Sequence, residues 1–173
     1  MSASADLFAT APTATTAHAP ASGVVKIVVY GEPAPQGSKK FVGFTKPKPG
    51  EARGHAIMKE SSDKVAPWRE DVNRAGRAVM DGRAPIDGPI IARMVFTVRK
   101  PASAPKTRRT YPCVKPDLSK LLRSTEDALK TAGVIADDSR IVEYSRAAKV
   151  FPLEDPEALE ALGVRIEIRR LGS

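Results

Sequence analysis

Of all stretches in this chain, Lys115 to Tyr144, KPDLSKLLRSTEDALKTAGVIADDSRIVEY, restricts the fold most. With Leu118 as origin and about 100° per residue, Leu118, Leu121, Leu122, Thr125, Ala128, Leu129 and Ala132 fall within one arc of about 120°. An arc of that width is a buried helical face. Pro116 cannot sit inside the helix, and the short carboxylate after it can accept the free N–H groups of the first turn, so Asp117 is expected as the N-cap. Gly133 closes the element, because glycine adopts the left-handed conformation cheaply just past the last apolar contact. About 15 helical residues make a rod of roughly 22 Å, and the extended steps from Ala132 to Asp138 cover roughly 20 Å. The chain is thus long enough to double back along the helix and bring Asp137 and Asp138 beside Asp117. Carboxylates meeting at the positive end of a helix repel unless a cation shares them, which makes this a candidate divalent-metal site.

The rest of the chain supplies a sheet for this helix. Val24 to Tyr30, VVKIVVY, is a β-branched strand, broken by GEPAPQGS, after which Lys39 and Lys40 stand either as phosphate contacts or as an ordinary solvated loop. Short strands are expected at Phe41–Thr45 and His55–Lys59, with the basic excursion KPKPGEARGH between them. From Asp63 a helix begins that tolerates Pro67 in its first turn, repeats Val65, Trp68, Val72, Ala75 and Val79 at helical spacing, and stops at Gly82. Trp68 on that face is a core residue before it is a base-stacking one. Pro89–Arg99 is apolar enough for a central strand. The proline-rich loop Lys100–Pro116 carries Lys106, Arg108, Arg109 and Lys115 with Tyr111 and no acid, and it feeds into Asp117. Such a run is a solvated face or, beside an acid cluster, a grip on a phosphate backbone. Ser139–Phe151 reads as a strand, 152–162 as a loop with a short helical turn, and Val164–Arg170 as a half-exposed closing strand. The order β, α, β, α, β, β predicts one α/β domain of the α+β kind over residues 23–173, a mixed sheet with two main helices packed against it.

Composition narrows the partners. A formal charge of +8 on 173 residues favours a polyanion such as nucleic acid over an acidic or neutral small substrate. Cys113 is the single cysteine, and His18 and His55 are the only histidines, so a disulfide and a cysteine- or histidine-built zinc site are excluded as a basis for the fold. Residues 1–22 lack Lys and Arg and a continuous apolar core, so a disordered tail is expected rather than a secretory signal. No run approaches the ~18 apolar residues of a membrane span, and a reducing cytoplasm is the expected compartment.

The segments PDLSKLLR, DALKTAG and DDSRIVEY resemble the signature of the RusA family of Holliday junction resolvases, small dimeric endonucleases of phages and prophages. That signature is an Asp-x-Asp opening a helix, a basic residue one turn on, Asp-Ala-Leu, and an Asp-Asp pair before a strand. The resemblance implies an Mg2+-dependent, structure-selective endodeoxyribonuclease that cuts four-way DNA junctions as a homodimer in a bacterial cytoplasm, with no small-molecule cofactor. It implies Asp117 and Asp138 as metal ligands and catalytic residues, Asp137 as a further ligand, and Arg123, the counterpart of the family's basic residue, as a catalytic phosphate contact. DNA binding is expected from Lys39, Lys40, Lys106, Arg108, Arg109, Lys115 and Lys120. One position departs: Ser119 stands where the family places its second acid, and a hydroxyl brings no negative charge, so the site holds Mg2+ more weakly. Glu126, on the same face as Ser119 and Arg123, is a candidate substitute about 10 Å along the axis, and Asp127 of the matched Asp-Ala-Leu has an ion pair with Arg123 at i, i+4 as its ordinary alternative reading. Two other readings stay open: a junction-binding protein in which Ser119 has cost the cleavage, and a basic RNA-binding protein with no role for Asp117 or Asp138.

Overall fold

A computed structural model describes residues 23–37, 39–45, 56–60, 63–105 and 107–172, without the side chains of 39–42 and 56–60. The tail expected over 1–22, the excursion ending at His55, and Lys106 lie outside the described residues. The elements are β1 (Val24–Tyr30), β2 (Lys39–Phe44), β3 (Ala56–Glu60), α1 (Val65–Met80), β4 (Ile90–Thr97), α2 (Leu118–Thr131), β5 (Ile141–Val150) and β6 (Gly163–Arg170). A mixed four-stranded sheet runs β1-β6-β4-β5, and β2 and β3 form a separate two-stranded ribbon. This is the expected α+β class, with two helices on a mixed sheet. Lys39 pairs with Glu60 and Lys40 with Lys59 in that ribbon, so these two lysines open a strand instead of extending the loop.

β4 lies between β6, to which it is antiparallel, and β5, to which it is parallel. A parallel pair needs a long crossover, and α2 is that crossover. Ile90, Ala92, Met94 and Phe96 of β4 and Val164, Ile166 and Ile168 of β6 join the helices' apolar faces in one core. Trp68 is 1% exposed there and its indole N–H donates to Thr125 Oγ1 at 3.3 Å, which settles it as a core residue of the α1–α2 contact. The opposite face of β4 is also covered: Leu159 is buried, and its N–H donates to the Thr97 hydroxyl at 2.8 Å. The segment 152–162 does this as a series of turns, with no helix.

The expected glycine stop of α2 is present in full. Gly133 has φ +73, its N–H bonds to Lys130 O at 3.0 Å, and Val134 N–H reaches back to Leu129 O at 3.0 Å, a Schellman closure. Beyond Gly133 the path differs from the expected extended return. Val134 and Ile135 are buried, Ile135 bridges to Ile86, and Ala136 N–H donates to Ile86 O at 3.0 Å. A Cβ placed on Gly76 of α1 would stand 2.8 Å from Val134 Cγ2, so α1 presses directly on this exit. The chain therefore spends these residues plugging the core beside α1. Only after a 3-10 turn at Asp138–Arg140 does it run back along α2, as β5.

Candidate active site and nucleic-acid interface

Asp117 occupies the N-cap of α2 with φ −69 and ψ 134, and its carbonyl accepts from Leu121 N at 3.1 Å. The position is as expected, but the carboxylate makes no cap bond. Its nearest cation is Lys120 at 3.4 Å, and 49% of the side chain is exposed, so its oxygens are available to solvent or ligand. The backbone just before it is held from across the sheet: Lys149 Nζ on β5 donates to Val114 O at 2.8 Å and to Pro116 O at 2.7 Å.

Asp137 and Asp138 stand elsewhere. Asp137 caps the 3-10 turn, accepting from Ser139 N at 3.0 Å, and also accepts from Lys130 Nζ. The Lys130 ammonium, with Ser139 second, holds the Asp137 carboxyl far below the usual range, and Asp137 in turn raises Lys130. Asp138 lies 3.7 Å from the same ammonium. Lys120 and Lys130, the partners of the two acid positions, are separated by ten residues, about 15 Å of helix rise. The expected convergence of Asp137 and Asp138 on Asp117 is thus not how one chain arranges them: the doubling back starts at the far end of α2, because Val134 and Ile135 are committed to the core. Among the described residues no group of three or more His, Cys, Asp or Glu is placed to hold a metal ion. In kind the oxygen donors suit a hard cation, but within one chain they do not form a three-carboxylate cage.

Between the two ends runs a line of polar side chains. Ser119 and Arg123 are exposed, and Arg123 carries no ion pair among the described residues. Glu126 accepts from the Tyr144 hydroxyl on β5. Burial pushes the Glu126 carboxyl above its ordinary range, the Tyr144 hydrogen bond pulls against this, and the Asp138 and Asp127 charges add to the rise. Burial, and then Glu126, push the Tyr144 phenol upward, so it remains a proton donor. Asp127 does not pair with Arg123. It takes Arg69 of α1 at 2.7 Å, since the α1–α2 packing brings that guanidinium closer.

The basic loop entering α2 divides into bound and unbound cations. Lys100 pairs with Glu154, and Arg109 reaches the buried Asp155 at 3.1 Å while stacking over Tyr111 at 5.1 Å. Asp155 also takes Arg146 at 2.6 Å, which holds its carboxyl below the usual range, and Arg146 and Arg93 share Glu157. Arg99, Arg108 and Lys115 are left without an ion pair among the described residues. The loop's charge was legible in the sequence, but its acidic anchor, more than forty residues away, was not. Tyr144 and Lys149 were missed as well. Strict alternation sets residues five apart on opposite faces, yet Tyr144 aligns with Ala92 and Lys149 with Phe96, both core-facing, because the β4–β5 register slips between Ala92 and Arg93.

Half-exposed carboxylates on and just beyond one helix, reached through a loop that leaves part of its cations unpaired among the described residues, are the equipment of a protein that works on a phosphate backbone. The family model for Endodeoxyribonuclease RusA matches residues 31–169 of the 173, and the chain belongs to that family of junction-resolving endodeoxyribonucleases. No curated protein sequence matches the chain. Among the described residues no helix is long and apolar enough to cross a membrane.

Proposed function

We propose that this protein is an Mg2+-dependent, structure-selective endodeoxyribonuclease that resolves four-way DNA junctions as a homodimer. A bacterial cytoplasm, from a phage or prophage genome, is its proposed setting. The observation that carries this is the family match from residue 31 to 169, which contains Asp117, Arg123 and the Asp137–Asp138 pair in the family's order. Mg2+, when bound, supplies a Lewis acid on the phosphoryl oxygen and an activated water. The residues proposed to contact it are Asp117 and Asp138, whose hard oxygens are partly exposed and which, standing apart along α2 in one chain, would share an ion only across the proposed homodimer, with Asp137 a lesser candidate because Lys130 already occupies it. Arg123 and Lys115 bind and orient the phosphates flanking the cut, and Arg108, Lys120, Lys39, Lys40 and Lys106 extend the grip. Arg109 belongs to this set more weakly, since Asp155 holds its guanidinium.

A second reading is favoured by one residue: Ser119, exposed on the first turn of α2, brings no charge where the family has an acid, and the protein then binds junctions and cuts them slowly or not at all. Incubation with a mobile four-way junction and Mg2+ separates the two. Cleavage that drops roughly a hundredfold or more in Asp138→Asn supports the nuclease. Binding without cleavage, with cleavage restored by Ser119→Asp, supports the second reading. Indifference of both binding and cleavage to these changes removes Asp138 from any role and tells against both readings.

A further inference from the structure

The mouth of the basic loop contains a cleft of about 270 Å³, immediately before Asp117 and separate from the line of carboxylates along α2. Its walls are apolar: Pro33, Val98 and Phe151 line it from the core side, and Val114 and Pro116 from the loop. Val98 and Phe151 are buried in the fold, whereas Val114 is 65% exposed at the edge. Arg99 and Lys115 also line it, and neither has a carboxylate partner among the described residues. The acid at the same cleft, Glu32, is already answered by Lys64 at 3.1 Å. An apolar slot flanked by two free cations has the complementarity of a nucleotide, whose flat base is weakly hydrated on its faces and whose phosphates are anionic. The volume lies just below the range usual for drug-sized ligands, which suits a single base.

Resting on the junction-nuclease reading, we propose that this cleft receives one nucleobase unstacked from the strand at the branch point, with Arg99 and Lys115 on the phosphates either side of it. Unpairing costs least where bases are already strained or unpaired, as they are at a strand exchange. A site that stores such a base selects branched over linear DNA without reading its sequence. Lys149 fixes the cleft wall, because the carbonyls it holds belong to Val114 and Pro116. The base is thus delivered one residue from the carboxylate proposed to act on the neighbouring phosphate.

The experiment is a binding cycle between protein and DNA, run without divalent ions so that nothing is cut. Wild-type protein and Val114→Trp, which fills the mouth from an exposed position, are titrated with an intact four-way junction and with junctions carrying one abasic site at each branch-point position in turn. At one position, wild-type affinity is expected to fall about tenfold when the base is removed. Val114→Trp should bind the intact and abasic junctions alike, at the wild-type affinity for the abasic one. Arg99→Gln should weaken all junctions together and leave the base-dependent difference in place. Wild-type protein that binds every abasic junction as tightly as the intact one overturns the proposal, as does a difference that persists in Val114→Trp. If wild-type protein prefers and, with Mg2+, cuts the junction in either case, the nuclease reading survives; if it neither prefers nor cuts it, that reading fails and this one with it.

Discussion

Glu126 is a side chain whose environment disfavours its charge. Burial, and beyond it two neighbouring carboxylates, raise it against the pull of the Tyr144 hydrogen bond, so its charged form is disfavoured where it sits. A glutamate with a raised folded-state value binds protons that the unfolded chain has already released, so its contribution to stability declines as pH climbs from the ordinary glutamate range through the raised one. Glu126→Gln keeps an acceptor for Tyr144 and removes the charge. The variant is expected to melt above wild type at neutral pH, with the gap closing near pH ~4, where both side chains are neutral. A gap independent of pH in thermal melts refutes this assignment. Nothing in the sequence marked Glu126 as half-buried: the wheel put it on the face of Ser119 and Arg123, and only the arrival of Tyr144 from β5 decides its exposure. Asp117 teaches the converse. Its place as first residue of the helix was readable from Pro116 and the apolar spacing, but whether the carboxylate turns inward to cap or outward to Lys120 is a tertiary choice.

At the scale of elements, the segment 152–162 is the anchor of the basic loop. Asp155 is nearly buried, with 3% of its side chain exposed, and holds Arg146 and Arg109 while accepting from Glu157 N at 3.0 Å. Asp155→Asn should cost about 2 kcal/mol in a denaturant titration, because two guanidiniums lose their shared anion. The depressed carboxyl also sets a pH dependence: its stabilisation is complete above the ordinary aspartate range and is lost as pH falls below it, a loss the variant should not show. The same division of charges predicts DNA affinity. Lys115→Gln is expected to reduce the slope of log affinity against log salt by about 0.9, one phosphate's worth, whereas Arg109→Gln should change it less. Equal slopes for both variants tell against a loop split into held and free cations. The loop itself was evident from its prolines and charges. Its partition was not, since Glu154, Asp155 and Glu157 read as an ordinary acidic turn until the fold sets them against Lys100, Arg109, Arg93 and Arg146.

For the whole molecule, periodicity was a good guide to what each element buries and a poor one to where the chain goes between elements. The arc on α2, the apolar face of α1 and the central place of β4 all follow from residue spacing, and the sheet they build is the one observed. The return path after Gly133 misled, because an extended-chain length bounds reach without fixing direction, and Val134 and Ile135 found better burial beside Ile86. One link across the molecule has a thermal consequence. The Lys149 ammonium ties the end of an edge strand to the chain entering α2, so opening of that strand and loosening of the helix start are expected to be coupled. In Lys149→Met the amide protons of β5 near Val150 and of the first turn of α2 should both exchange faster with deuterium, while those of β6 keep the wild-type rate. Heat that frees the edge of this sheet also unseats Asp117, so the protein should lose its cutting activity some degrees before it loses its fold.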